Sequence, residues 1–165
     1  MTSGSEEKPE KYQQALDWAE AGEYVKALEF MQSHLEEVPD DAEALNDAGT
    51  ILWGQGLSKE ALPYLERARQ LDADSAAILW NVFEVHLSLQ QGTDALKLLD
   101  DMERLGILQF DVLNRVASVL IDSGDLSDAL STLNRSLAIE PCQALLEPIV
   151  EILRHKQSVN QEAVA

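Results

Sequence analysis

The sequence has a single cysteine, Cys142, among 165 residues. No disulfide can close within such a chain, which fits a reducing compartment and a cytoplasmic setting. Aromatic residues make up only 5%, so the core must be built from aliphatic and small side chains. Positive charge is also scarce: 12 Lys and Arg stand against 30 Asp and Glu, for a net charge of −18. A surface that negative repels phosphate backbones and argues against nucleic acid as a partner; it serves either solubility or attraction to a basic partner. No apolar run approaches the length of a bilayer span, so membrane insertion is not expected. Residues 1–8 lack the cationic start and apolar stretch of a secretory signal.

Convergent chemistry is missing too. His34, His86 and His155 lie on separate segments, and none is spaced from Cys142 or another His as metal ligands would be. His86 falls on an apolar stripe and reads as a satisfied core residue. Gly54-Gln55-Gly56 is too short for a phosphate loop and follows no strand. We therefore expect no enzyme, no metal and no cofactor.

What the chain has is a period. Ala27-Leu28, Ala61-Leu62, Ala95-Leu96 and Ala129-Leu130 are one dipeptide repeated every 34 residues, and Met31, Leu65, Leu99 and Leu133 keep the same interval. Around these positions apolar residues recur at helical spacing in pairs of short segments. The pairs are separated by turns at Ala21-Gly22-Glu23, Gly54-Gln55-Gly56, Gln91-Gly92-Thr93 and Ser123-Gly124-Asp125. The units span 8–41, 42–75, 76–109 and 110–143. Asp40 or Asp41, Ser58, and Asp74 or Ser75 suit helix starts. Pro9 suits a first helical turn; Pro63 should remove about one backbone hydrogen bond. Gly106 reads as a C-terminal cap, with Ile107 folding back onto its helix.

Residues 1–7 read as a disordered acidic tail and 158–165 as a loose tail. Residues 144–157 read as a helix with Leu145, Leu146, Ile149, Ile152 and Leu153 on one face and Glu147, Glu151, Arg154 and Lys156 on the other. Stacked repeats leave an apolar end that such a helix closes.

A helix–turn–helix unit of 34 residues resembles the tetratricopeptide repeat. The match is carried by Leu45, Ala48, Gly49, Leu52, Ala61, Leu65 and Ala68 in the second unit. The fourth contributes Leu113, Ala117, Leu120, Gly124-Asp125, Ala129, Leu133 and Pro141, and the first Gly22-Glu23-Tyr24, Ala27, Met31 and Pro39. The third unit departs most, with Phe83 where a small residue is usual and no closing Pro; Ala73 replaces the closing Pro of the second. The resemblance implies an all-α fold: a right-handed α-solenoid of four hairpins with a C-terminal capping helix.

It also implies that the first helices line a concave groove that binds a peptide segment. Carried over by position, the groove residues are Tyr12 and Leu16, then Asn46, Asp47, Thr50 and Trp53, then Trp80, Asn81, Glu84 and Leu87, then Asn114, Arg115, Ser118 and Ile121. Trp53 and Trp80 lie off their helices' core stripes; they either anchor a ligand or fill space between repeats. Trp18 reads as core. Asn46, Asn81 and Asn114 offer amides either to a ligand's backbone or to their own solenoid. Arg115 would take a carboxylate or pair with Glu84 or Asp111. Members that clamp the terminal carboxylate of chaperone tails use Lys, Asn and Arg. Here Asn81 and Arg115 match, but Asn46, Thr50 and Asp111 stand where Lys, Asn and Lys are expected, which argues against that ligand.

The expected function is a non-catalytic adaptor whose partner is a protein or peptide, basic or apolar. The alternatives are a small acidic secretion-type chaperone holding a client, or a scaffold that self-assembles through the 144–157 helix or the first repeat.

Overall fold

The computed structural model describes residues 10–164, with side chains described for 11–158. The expected tail at 1–7, and Pro9, lie outside these residues. Among the described residues there are ten α-helices and no strand. In order they are α1 (Glu10–Glu20), α2 (Tyr24–Glu37), α3 (Ala42–Gly54), α4 (Ser58–Leu71), α5 (Ala76–Ser88), α6 (Gly92–Leu96), α7 (Leu99–Arg104), α8 (Phe110–Ser123), α9 (Leu126–Ile139) and α10 (Leu146–Val164). The starts of α2, α4, α6 and α9 repeat every 34 residues, as the dipeptide period requires. The chain divides into two compact units between Val85 and His86, within α5.

The unit up to Val85 is built on close approach of small residues. Tyr12 and Ala15 of α1, Ala27 and Met31 of α2, and Ala44, Ala48 and Ile51 of α3 form one buried cluster. Leu16 and Trp18 pack against its edge. On its next face, α3 turns Gly49 toward α4: a Cβ there would sit 2.6 Å from Leu65 Cγ. That distance is far below van der Waals contact, so only glycine admits this helix pair. Asp41 caps α3 through Oδ1, which accepts from the Ala44 N–H at 3.0 Å. Ser75 Oγ accepts from the Ile78 N–H at 3.3 Å. At α4 the N-cap residue is Leu57, with no side-chain cap; Ser58 is the first helical residue.

The unit from His86 onward buries Leu98, Leu99 and Met102 with the inner faces of α8 and α9. Gly92 opens α6 in close contact with α8: a Cβ would lie 3.1 Å from Leu120 Cδ2 and from Val119 Cγ1. The turn expected at 91–93 is therefore one step early. Its left-handed residue is Gln90, at φ 58°, and Gly92 is already helical. The helix after this turn is also divided. Lys97 and Leu98 separate α6 from α7, and the Leu98 N–H donates to Ala95 O in a tightened turn.

α10 packs on α9 through Val150 and Leu153, and Gln157 Nε2 donates to Ser127 Oγ at 3.3 Å. Two expectations change here. The helix continues past 157 to Val164, so 158–164 is helical rather than loose. Its buried face is also narrower than the sequence pattern suggested, because Leu145, Ile149 and Ile152 are exposed.

Candidate binding face of the first helices

Repeat register places one row of side chains on successive first helices, and in the unit up to Val85 that row is wired together. Tyr12 Oη on α1 donates to Asp47 Oδ2 on α3 at 2.8 Å. Asn81 Nδ2 on α5 donates to Asn46 Oδ1 at 2.8 Å. Asn46 Nδ2 reaches Asp47 Oδ1 at 3.4 Å, and Thr50 Oγ1 donates to Asp47 O at 2.9 Å. Both inter-helix bonds join residues 35 apart, one repeat plus one position. The amides of Asn46 and Asn81 thus bond their own fold. Holding them to one another fixes the polar surface beside Trp53 and Trp80, both half-buried. Trp80 leans on the buried Phe83, with ring centroids 5.8 Å apart. Glu84 is half-buried.

Two expected groove residues are corrected. Tyr12 is 3% exposed, with its ring in the core cluster. Burial and the Asp47 carboxylate both push its phenol far above its ordinary pKa, so it keeps its proton and serves as a donor within the fold. Leu87 is also core, at 7% exposure. A polar row tends to hide such anchors, because position alone does not separate a residue facing the groove from one turned between helices.

Behind Tyr12 lies a second linked pair. His34 Nε2 is 2.8 Å from Asp41 Oδ2, and the His34 ring meets Tyr12 edge-on at 5.5 Å. Burial alone would raise the Asp41 carboxyl; hydrogen bonds from the Ala44 N–H and His34 outweigh it and hold the group below its ordinary value.

In the unit from His86 onward, Asn114 is tied down as well. Its Nδ2 donates to Gln143 Oε1 at 2.7 Å, and its Oδ1 accepts from Ser136 Oγ at 2.7 Å. Gln143 Nε2 donates to Ser136 Oγ and to Glu140 O. Gln143 was not singled out from sequence; it sits just outside α10, where helical periodicity gives no signal. Arg115 and Ser118 are exposed and Ile121 half-buried. His86 is 6% exposed, with Nδ1 2.8 Å from Gln91 Oε1, a partner available inside the fold.

Among the described residues no group of three or more His, Cys, Asp or Glu is placed to hold a metal ion. No helix among them is long and apolar enough to cross a membrane. Two shallow clefts, one lined by Gly22, Tyr24, Val25 and Gln55 and the other by Leu45, Pro63, Tyr64 and Arg67, include no residue of the row.

No family model matches the sequence, and no curated protein matches it. Solved structures do match the fold. A crystal structure of MamA superposes with a TM-score of 0.68 at 18% identity, covering 91% of this chain and 88% of that one. A second MamA structure gives 0.69 at 18% identity, covering 94% and 87%. A double mutant of MamA RS-1 gives 0.68 at 14% identity, covering 96% and 91%. At these identities the likeness is one of fold, and the fold is an all-α solenoid of tetratricopeptide type.

Proposed function

We propose that this chain is a non-catalytic interaction scaffold, which holds a segment of a partner protein against the face formed by its first helices. The observation that carries this reading is the fixed polar row beside two half-buried indoles. Asn46, Asp47, Thr50 and Asn81 are immobilised by bonds to one another and to Tyr12, so a partner meets a surface whose ordering entropy is already spent. Half-buried tryptophans give such a surface large apolar contact area with few rotatable bonds. The partner docks near Trp53, Trp80, Asn81 and Glu84. A basic segment gains from the overall charge of −18, which raises its encounter rate. The single cysteine is exposed and free, which suits a reducing cytoplasm.

The test is affinity capture with the full chain against the Trp53→Ala/Trp80→Ala variant, with circular dichroism to show that both remain helical. Retention of the captured partner should fall by roughly tenfold or more in the double variant, as expected when anchor residues are truncated. Equal retention would overturn the assignment of this face.

A further inference from the structure

We infer that Trp80, Asn81 and Glu84 of α5 form a recognition site for an arginine side chain of the partner. The guanidinium lies on the Trp80 indole and donates to Asn81 Oδ1 and to the Glu84 carboxylate. This rests on the reading above, in which first helices present a partner-binding face, and it names the chemistry that one part of that face selects.

The side-chain bonds that link the row from helix to helix all run toward Asp47. Tyr12 Oη donates to Asp47 Oδ2 at 2.8 Å and Asn46 Nδ2 donates to Asp47 Oδ1 at 3.4 Å, so both Asp47 oxygens act as acceptors. An amide carries its donors on one side and its acceptor on the other. With its nitrogen turned to Asp47, Asn46 presents Oδ1 to α5, where it accepts from Asn81 Nδ2 at 2.8 Å. That bond in turn fixes the Asn81 amide, with Oδ1 as the group at the outer end of the row. Among the described residues nothing donates to Asn81 Oδ1. Asp47 thus orients two amides in sequence, and the row ends in an acceptor that asks its ligand for an N–H.

The groups beside that oxygen ask for positive charge. Glu84 follows Trp80 by four residues and Asn81 by three, the spacings at which side chains of one helix are neighbours. All three are half-buried. The Trp80 ring leans on Phe83, with centroids 5.8 Å apart, and an indole held in place attracts a cation over its face. A carboxylate accepts several donors at once, so Glu84 serves a ligand together with its bonds in the fold. Helices α3 and α5 carry three carboxylates, Glu43, Asp47 and Glu84, and no Lys or Arg. An acidic ligand would therefore meet repulsion here. Arginine fits better than lysine. Its planar guanidinium stacks on a ring while the N–H groups at its edge reach two acceptors; a compact ammonium gives up one contact to make the other.

The experiment titrates the full chain with N-acetyl-arginine amide, N-acetyl-lysine amide and the uncharged isostere N-acetyl-citrulline amide, at constant ionic strength. NMR follows the indole N–H resonances, and Trp80→Phe identifies the one that belongs to Trp80. That resonance should move saturably with arginine amide, with millimolar affinity. Lysine amide should bind about threefold more weakly and citrulline amide about tenfold more weakly. Glu84→Gln and Asn81→Leu should each weaken arginine amide by roughly fivefold, with helicity checked by circular dichroism. The inference falls if the Trp80 resonance does not saturate, if lysine or citrulline amide binds as tightly as arginine amide, or if either variant binds like the parent. Partner capture reports on the scaffold reading separately. Capture lost in Trp53→Ala/Trp80→Ala but kept in Glu84→Gln, with arginine amide unbound, would overturn the arginine site and leave the scaffold standing. Saturable arginine binding at Trp80 with capture undiminished in the tryptophan variant would overturn the scaffold face instead.

Discussion

The hairpin of α3 and α4 and the one whose second helix begins with α6 occupy equivalent positions in the repeat, yet they are built differently. The first turns at Gly56, at φ 79°, and its second helix runs unbroken from Ser58 to Leu71 although Pro63 stands inside it. The second turns at Gln90, at φ 58°, and its helix divides at Lys97 and Leu98 with no proline in the stretch. What holds an element in register here is the size of the side chains at the buried contact, more than helix propensity. Where α4 and α9 bury Ala68 and Ser136, α7 buries Met102, and Leu98 and Leu99 are buried with it. α9 buries Thr132, Leu133 and Ser136 at the same three positions and stays unbroken, so the two stretches differ in the bulk they bury and not in the width of the buried face.

The sharpest way to break the comparison is to add one methyl group where α3 meets α4. Gly49→Ala should improve helix propensity by about 1 kcal/mol. It also places a Cβ 2.6 Å from Leu65 Cγ, and overpacking of that kind costs about 1–3 kcal/mol or more. We expect a net loss of about 2 kcal/mol by chemical denaturation. Adding Leu65→Ala should make the pair less damaging than the sum of the two single changes. Gly92→Ala is the matched control: its neighbours lie at 3.1 Å, and it should cost less.

The turns offer the next contrast. Gln90 and Gly56 both end a first helix in the left-handed conformation. At Gln90 the following N–H of Gln91 donates to His86 O; at Gly56 the N–H of Leu57 donates to Leu52 O. Only glycine takes that conformation without a Cβ penalty. Gln90→Gly should therefore raise stability by up to about 1 kcal/mol, and Gly56→Gln should lower it by about as much. A thermal melt of each variant decides the matter: a neutral result at both sites would mean that the turns carry no strain difference.

The period, the helix starts and the hairpin order were legible because burial of small residues writes itself into sequence every 34 positions. Gln90 was not, since a glutamine gives no hint of a left-handed φ and the neighbouring Gly92 drew the turn toward itself. No local pattern marks the break at Lys97 and Leu98, where the stretch holds no proline. For the candidate face, the sequence suggested a row of positions and gave no sign of the bonds along it. Tyr12 looked like a lining residue until its hydroxyl was seen on Asp47. Over 144–157 five apolar residues read as one face, but Leu153 is buried beside Val150 while Leu145, Ile149 and Ile152 are exposed. Distinguishing stripes so close in angle takes a neighbouring helix to show which is covered.

The smallest expected effect separates backbone from charge in the comparison. Asp41 caps α3 and pairs with His34, whereas at the equivalent first helix, α5, the uncharged Ser75 hydroxyl accepts from the Ile78 N–H. If electrostatics set the α3–α4 hairpin apart, its stability should follow the Asp41 carboxylate. The folded state holds that group below its ordinary value of 3.8, so the folded protein binds its proton less readily than the unfolded chain does. The contribution is complete above the ordinary carboxylate range and is lost as pH falls through the folded value. Asp41→Asn keeps a capping oxygen, so near neutral pH it should cost only about 0.5 kcal/mol. In acid the gap between parent and variant should close. Urea denaturation at pH 7 and at pH 3 measures both quantities. A constant gap would place the role of Asp41 in its shape as a cap and leave the Gly49–Leu65 contact as the feature that distinguishes this hairpin.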